Sequence, residues 1–147
     1  MKSVIQRVIK GALYVEKEHR GDIGKGLVSL VAFEQGDTEK DCAYIAGKII
    51  SLRIFENSLG KMDYSLTDIK GDIMVVSQFT LCGNCTRGNR PDFTKAESAD
   101  KAEVLYNKFM DIIRQSATGK AVQGVFGKYM LVEIHNDGPV TILLNSR

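Results

Sequence analysis

Residues 26–33, GLVSLVAF, are apolar at nearly every position. A strand with one face in water alternates apolar and polar side chains, so an unbroken run implies a strand covered on both faces. The run is far shorter than the roughly 20 residues a membrane helix needs. The chain is therefore expected to build a sheet with material packed on both sides. Residues 72–81, DIMVVSQFTL, read as a second, central strand.

Around these lie weaker signals. Residues 4–8 and 12–15 look like short strands parted by Lys10-Gly11. Gly21-Asp-Ile-Gly24-Lys-Gly26 lacks the spacing of a phosphate loop and leads into a strand, so it reads as a turn. Thr38 opens a helix, with Asp41 placed to answer it as a short capping-box acid. Cys42, Ile45, Ala46, Ile49 and Leu52 then recur at helical spacing. Ser98 is placed to cap a second helix. Asp100 and Arg114 suit its two dipole ends, and Ala102, Leu105, Tyr106, Phe109 and Ile113 form its apolar face. Two last strands, 129–135 and 140–144, are joined by Asn136-Asp137-Gly138-Pro139. Strands interrupted by two separated helices predict an α+β fold around a mixed or antiparallel sheet, in one domain spanning 1–147.

The 20 basic and 18 acidic residues leave a net charge of +2. That disfavours a protein holding a long duplex by charge alone, but permits a small basic patch. Arg87, Arg90 and Lys95 could form one beside the SQFT strand. The first residues carry charges every few positions and form no signal-peptide core. Three cysteines make no disulfide framework, so the chain reads as reduced, intracellular and not membrane-bound.

Two chemistries compete just after the second central strand. Cys82-Gly-Asn-Cys85 has zinc or redox spacing, but the other candidate ligands, Cys42, His19 and His135, are isolated. No helix starts after Cys85 to activate a thiol, so both cysteines read as incidental loop thiols and Cys42 as core. No metal or cofactor is expected. The histidines form no triad, and Asp63, Asp68 and Asp72 lack calcium-loop spacing. Ser77-Gln78-Phe79-Thr80 offers hydroxyls and an amide without a base. Asn136-Asp137-Gly138-Pro139 reads locally as a hairpin turn, yet Pro after Gly fits a two-residue turn poorly. A Gly-Pro bond can also be cis at small cost.

Together these segments resemble the D-aminoacyl-tRNA deacylase family. The resemblance runs from Ile5-Gln6-Arg7-Val8 through Gly24-Lys-Gly-Leu27, Leu52-Arg-Ile-Phe55, Gly60-Lys-Met62 and Val76-Ser-Gln-Phe-Thr-Leu81. It continues through Arg90-Pro91, Leu105-Tyr106, Phe126-Gly127, Met130 and Asn136-Asp-Gly-Pro-Val-Thr141. SQFT and NDGPVT in that order are its specific signatures. The resemblance implies a barrel-like sheet with two main helices and a cytoplasmic homodimer with its active site at the subunit interface. It also implies hydrolysis of D-aminoacyl-tRNA and mischarged glycyl-tRNA at the tRNA acceptor end, with L-aminoacyl substrates rejected. Ser77, Gln78, Phe79 and Thr80 would line the pocket, and Met130 would contribute to substrate binding. Gly138 and Pro139 would enter the partner's pocket as a Gly-cisPro element supported by Arg7. Asp63, Asp92 and Lys128 depart from residues common in the family, and Cys82-Gly-Asn-Cys85 lies outside its shared pattern.

Ester hydrolysis needs a water, an oxyanion site and a reading of the α-carbon. Backbone N–H groups at Phe79 and Thr80 are candidates for the oxyanion. Two routes to an activated nucleophile stay open: the Thr80 hydroxyl, or water assisted by the terminal adenosine 2′-OH, which the resemblance favours.

Overall fold

The computed structural model describes residues 1–86 and 88–147. In chain order the elements are β1 (Lys2–Val15), β2 (Glu18–Ile23), β3 (Gly26–Ala32), α1 (Glu39–Ser51), β4 (Phe55–Glu56) and β5 (Met62–Tyr64). They continue with β6 (Asp72–Ser77), a 3-10 turn (Phe79–Cys82), α2 (Ala99–Ser116), β7 (Ala121–Gln123) and β8 (Met130–Asn145). The main sheet runs β2-β1-β3-β6-β7, and β8 pairs with β1. β3–β6 and β6–β7 are parallel, and the pairings of β1 with β2, β3 and β8 are antiparallel. Lys120 Nζ donates to the Asp22 carbonyl at 2.7 Å, bringing the β7 end against β2 so that the sheet nearly closes into a barrel. The fold is thus α+β with a mixed, barrel-like sheet and two helices. Among the described residues no helix is long and apolar enough to cross a membrane.

The unbroken apolar run of β3 has the expected cause, and β6 shares it. Leu27, Val31, Ile73 and Val75 pack into a cluster with α1 and α2, while Val28, Met74 and Val76 point into a second cluster with Leu13, Val15 and Val122. β3 and β6 therefore carry one core on each face. The carboxylate of Asp72 accepts hydrogen bonds from Gly24 N and Lys120 N, both at 2.9 Å, and so ties the β2–β3 turn to the start of β7.

Four boundaries differ from the expectation. The second central strand stops at Ser77, because residues 79–82 coil into the 3-10 turn, and Gly21–Ile23, expected in a turn, complete β2 by pairing with β1. The first two predicted strands are one strand, β1, with a register shift between Val8 and Lys10. That extra residue reverses side-chain parity: Ile5 faces the helical cluster, whereas Leu13 and Val15 face the other. The last two strands are likewise one strand. Residues 130–136 and 141–145 both pair with β1, so NDGP is a bulge inside β8 and makes no hairpin. Between Asn136, opposite Val8, and Thr141, opposite Gln6, four residues of β8 face one of β1.

The helix starts also divide. The Asp41 carboxylate accepts from the Thr38 N–H at 2.9 Å, the acid's half of a capping box, and the Thr38 hydroxyl also donates to it at 2.9 Å. Ser98 does stand at the start of α2, but its side chain makes no cap bond and its hydroxyl donates to Glu97. Ser146 and Thr38 hydrogen bonds hold the Asp41 carboxyl at about 2, down from 3.8. A depressed folded value stabilises the fold above the unfolded value and loses that support as pH falls. Thermal melts should therefore show a loss between about pH 4 and pH 2. Asp41→Asn should flatten that part of the curve.

Candidate functional site

Ser77 ends β6, half-buried, and the chain turns at once into the 3-10 segment. Gln78 N donates to Val31 O at 2.7 Å, fixing the turn to the end of β3. The first bond of the turn runs from Leu81 N to Gln78 O at 3.1 Å. The N–H groups of Phe79 and Thr80 precede it, as the leading donors of any short helix do. Gln78 Nε2 donates to Thr80 Oγ1 at 2.5 Å, so the Thr80 hydroxyl faces an amide and not a base. Phe79 is 60% exposed and rests edge-on against Phe93, with ring centroids 5.2 Å apart. A shallow recess of about 280 Å³ adjoins the turn, lined by residues 2–4, Leu81 and residues 143–145.

Behind this end of β6, the buried Tyr106 hydroxyl lies 2.9 Å from Val75 O and 3.1 Å from Gly124 O. Burial raises its pKa, so it remains a neutral donor. Met130 opens β8, and its sulfur comes close to Gly124 beside Val75 and Val76. Met130 therefore belongs to the same end of the sheet as Ser77.

The β8 bulge forms a second constellation. The Gly138–Pro139 peptide is cis, and Gly138 has φ +111°. Asn136 Nδ2 donates to Arg7 O at 2.9 Å and Val140 O at 3.0 Å, tying the bulge at its base. Arg7 lies almost wholly buried beneath it. Its Nη1 donates to Ile54 O at 2.7 Å, and its Nη2 is 3.4 Å from Glu56 Oε1. Its Nε stands 3.0 Å from Asp137 Oδ2 without aligning an N–H on any acceptor, an ion pair and not a hydrogen bond. A Cβ on Gly138 would stand 2.9 Å from Arg7 Nη2.

The register keeps the two constellations apart. The bulge is level with Arg7, Arg7 pairs with Leu27, and Leu27 pairs with Ile73. Ser77 pairs with Val31, four residues further along β6. The offset is about 13 Å along the strands and, across β1 and β3, about 14 Å sideways. Sequence reading anticipated Ser77, Gln78, Phe79, Thr80, Met130, Arg7, Gly138 and Pro139; within one chain they fall into two groups.

The rival candidates are placed as follows. Cys82 is buried in the 3-10 turn with its sulfur 3.5 Å from Phe33 O, so it is a core residue and not the loop thiol expected. Burial raises its pKa and pushes Cys42 up to about 11, while Cys85 is exposed. A maleimide near neutral pH should label Cys85 alone in the native protein, and all three thiols after denaturation. Labelling of Cys82 at a matching rate would contradict this burial. Among the described residues no three His, Cys, Asp or Glu side chains gather as a metal donor set. His19 pairs with Asp22 on β2, and His135 lies opposite Lys10, away from Ser77. Arg90 and Lys95 are exposed; Arg87, the third member of the expected basic patch, lies outside the described residues.

Asp63 pairs with Arg53 and accepts from Asn57, bracing the β4–β5 hairpin. Asp92 accepts from Thr94 N and Oγ1, and Lys128 pairs with Glu16 at 3.2 Å. Ile54, Glu56 and Asp137 went unnoticed as partners of Arg7. Ile54 and Glu56 are nearly fifty residues away in sequence, and Asp137 stands in the sequence context of a turn.

A barrel-like sheet with a hydroxyl-and-amide turn at one strand end and an arginine-backed Gly-Pro bulge on another defines a recognisable class. The model of the D-Tyr-tRNA(Tyr) deacylase family matches residues 4–145. The chain belongs to that family. It is 46% identical to a D-aminoacyl-tRNA deacylase of Clostridium acetobutylicum over 147 residues, covering 100% of this chain and 98% of the relative. A Thermosipho melanesiensis protein of the same name is 48% identical over the same shares. Among solved structures, a c-Myc DNA unwinding element binding protein is 40% identical with a TM-score of 0.94, covering 100% of this chain and 99% of that one. A probable eukaryotic D-amino acid tRNA deacylase shares the fold, with a TM-score of 0.85 at 19% identity and 97% of each chain covered.

Proposed function

We propose that this protein hydrolyses the ester of D-aminoacyl-tRNA, releasing free D-amino acid and tRNA, and that its site is completed by a second copy of the chain. Family membership supports the reaction. One observation carries the composite site: the SQFT turn and the Gly138-Pro139 bulge lie well apart in one chain. β8 supports the dimer. It is a sixteen-residue strand that, among the described residues, pairs with β1 alone, a long open edge of the kind proteins normally cover. None of its residues is fully buried, and Leu131 and Leu143 are exposed on its outer face.

In this reading the acceptor end of the tRNA enters beside the SQFT turn. The Phe79 and Thr80 N–H groups receive the charge that develops on the ester oxygen. The Thr80 hydroxyl, facing the Gln78 amide, is not a nucleophile. The terminal adenosine 2′-OH assists the attacking water, and the protein contributes position. The Gly138 and Pro139 carbonyls, which lie where β8 has no ladder partner, accept hydrogen bonds from the substrate α-ammonium. That orientation turns an L side chain into backbone and a D side chain outward, so glycine passes and many D residues are accepted. No cofactor enters the reaction, and its workplace is the cytoplasm.

The test is hydrolysis of matched D- and L-tyrosyl-tRNA by the purified protein. The D ester should be cleaved and the L ester spared; equal rates, or none, overturn the reading. Thr80→Ala should keep a substantial rate, while tRNA ending in 2′-deoxyadenosine should react poorly. A trapped aminoacyl-Thr80 adduct would reverse that assignment. The name of the 40% identical solved structure favours a second reading, DNA binding. The net charge of +2 weighs against it, and titration with duplex DNA at physiological salt decides it.

A further inference from the structure

We infer that Glu56 and Asp137 are positioning residues, which act through the buried Arg7 guanidinium to set where the Gly138 backbone stands. The inference rests on the proposed role of the Gly138-Pro139 carbonyls.

Arg7 is a single buried cation held from two sides. From the β4 side come the Ile54 carbonyl at 2.7 Å and Glu56 at 3.4 Å; from the bulge comes Asp137 at 3.0 Å. A buried charge is tolerated when it is paired; here the two carboxylates reach Arg7 from the surface, 53% and 39% exposed, so losing one shifts the guanidinium more than it destabilises the fold. The guanidinium therefore sits where both carboxylates can reach it. Its Nη2 then occupies the space beside Gly138 Cα, close enough to exclude a Cβ. The bulge has few other restraints. Residues 137–140 have no ladder partner on β1, and Asn136 ties only its two ends.

The grip is also incomplete. Arg7 Nε is buried and makes no hydrogen bond, so Asp137 holds it by charge alone. Charge without a directed bond makes the position sensitive to replacement by a neutral isostere. Glu56 is itself placed by the β4–β5 hairpin, braced through Arg53, Asp63 and Asn57. A route of contacts thus leads from the hairpin to the bulge.

The variants are Asp137→Asn and Glu56→Gln, which keep shape and remove charge. Asp111→Asn, whose carboxylate pairs with Arg114 on the surface of α2, is the control. Two readouts separate this inference from the functional reading. The first is hydrogen exchange of residues 136–141. Both charge variants should exchange faster there with melting temperatures near wild type, and the control should not. The Glu56→Gln result is the telling one, because the substitution lies on another segment. Unchanged exchange in both variants overturns the inference whatever the enzyme does. The second readout is the D-to-L rate ratio on tyrosyl-tRNA. Each variant should lose about tenfold in D-ester rate and narrow the ratio. Wild-type rates and ratio in both variants would overturn the inference. A wild-type protein that hydrolyses neither ester sinks the functional reading and leaves the exchange experiment to judge the clamp.

Discussion

Gly138→Ala should abolish most D-aminoacyl-tRNA hydrolysis while leaving the protein folded. Gly138 has φ +111°, a region where side chains are strained. The added Cβ would lie 2.8 Å from Val140 Cγ2, 2.9 Å from Arg7 Nη2 and 3.2 Å from Val140 N. Arg7 cannot retreat freely, because Ile54 O and two carboxylates hold it. The bulge must move instead, and its carbonyls move with it. Displacing a positioning group by about 1 Å can cost on the order of 100-fold in rate. Single-turnover hydrolysis of D-tyrosyl-tRNA measures the loss, and a thermal melt checks the fold. Gly138 and Pro139 are exposed at the tip of the bulge and outside both core clusters, so the melting temperature should fall only modestly. An active Gly138→Ala would mean that the bulge does not position substrate.

Gly26→Ala should act on the fold itself. Its Cβ would stand 1.9 Å from Asp72 O and 2.7 Å from Asp72 C. These are backbone atoms of the neighbouring parallel strand, so no rotamer change relieves the clash. β3 and β6 would have to part at the Gly26–Asp72 pair. Both strands are buried on two faces, and overpacking in such a place costs about 3 kcal/mol or more. The melting temperature should fall by about 6–12 °C. A variant as stable as wild type would contradict the close approach of these strands.

How much of this was legible in the sequence depended on whether the signal was local. β6 was legible as a central strand, but its end at Ser77 was not, since the 3-10 turn keeps the same apolar and hydroxyl residues. The run in β3 announced a strand with two buried faces because its composition records burial directly. The stripes of α1 and α2 announced their inner faces for the same reason; Met110 was the one buried α2 residue not foreseen. Pairing is not local. Asn136-Asp137-Gly138-Pro139 has the residues of a hairpin turn, and only the shared partner β1 makes it a bulge. The Ser98 hydroxyl was expected to cap α2, and Glu97 beside it took the bond instead. Arg7, Gly138 and Pro139 were found through family resemblance. The guanidinium partners Ile54 and Glu56 meet Arg7 only once the β4–β5 hairpin packs beside β1. Cys82 looked like one half of a reactive pair, but the 3-10 turn rotates it under Phe33 and leaves Cys85 outside.

The central claim is that one copy's SQFT turn works with the other copy's Gly138-Pro139 bulge. The direct measurement uses two variants with different affinity tags, Gln78→Ala and Gly138→Ala, each first shown to have lost most of its activity as a homodimer. After mixing and subunit exchange, species carrying both tags are isolated and assayed on D-tyrosyl-tRNA. Each mixed dimer holds one site with a native turn and a native bulge, so about half the wild-type activity per dimer should return. Verified mixed dimers that remain as inactive as their parents would contradict the composite site.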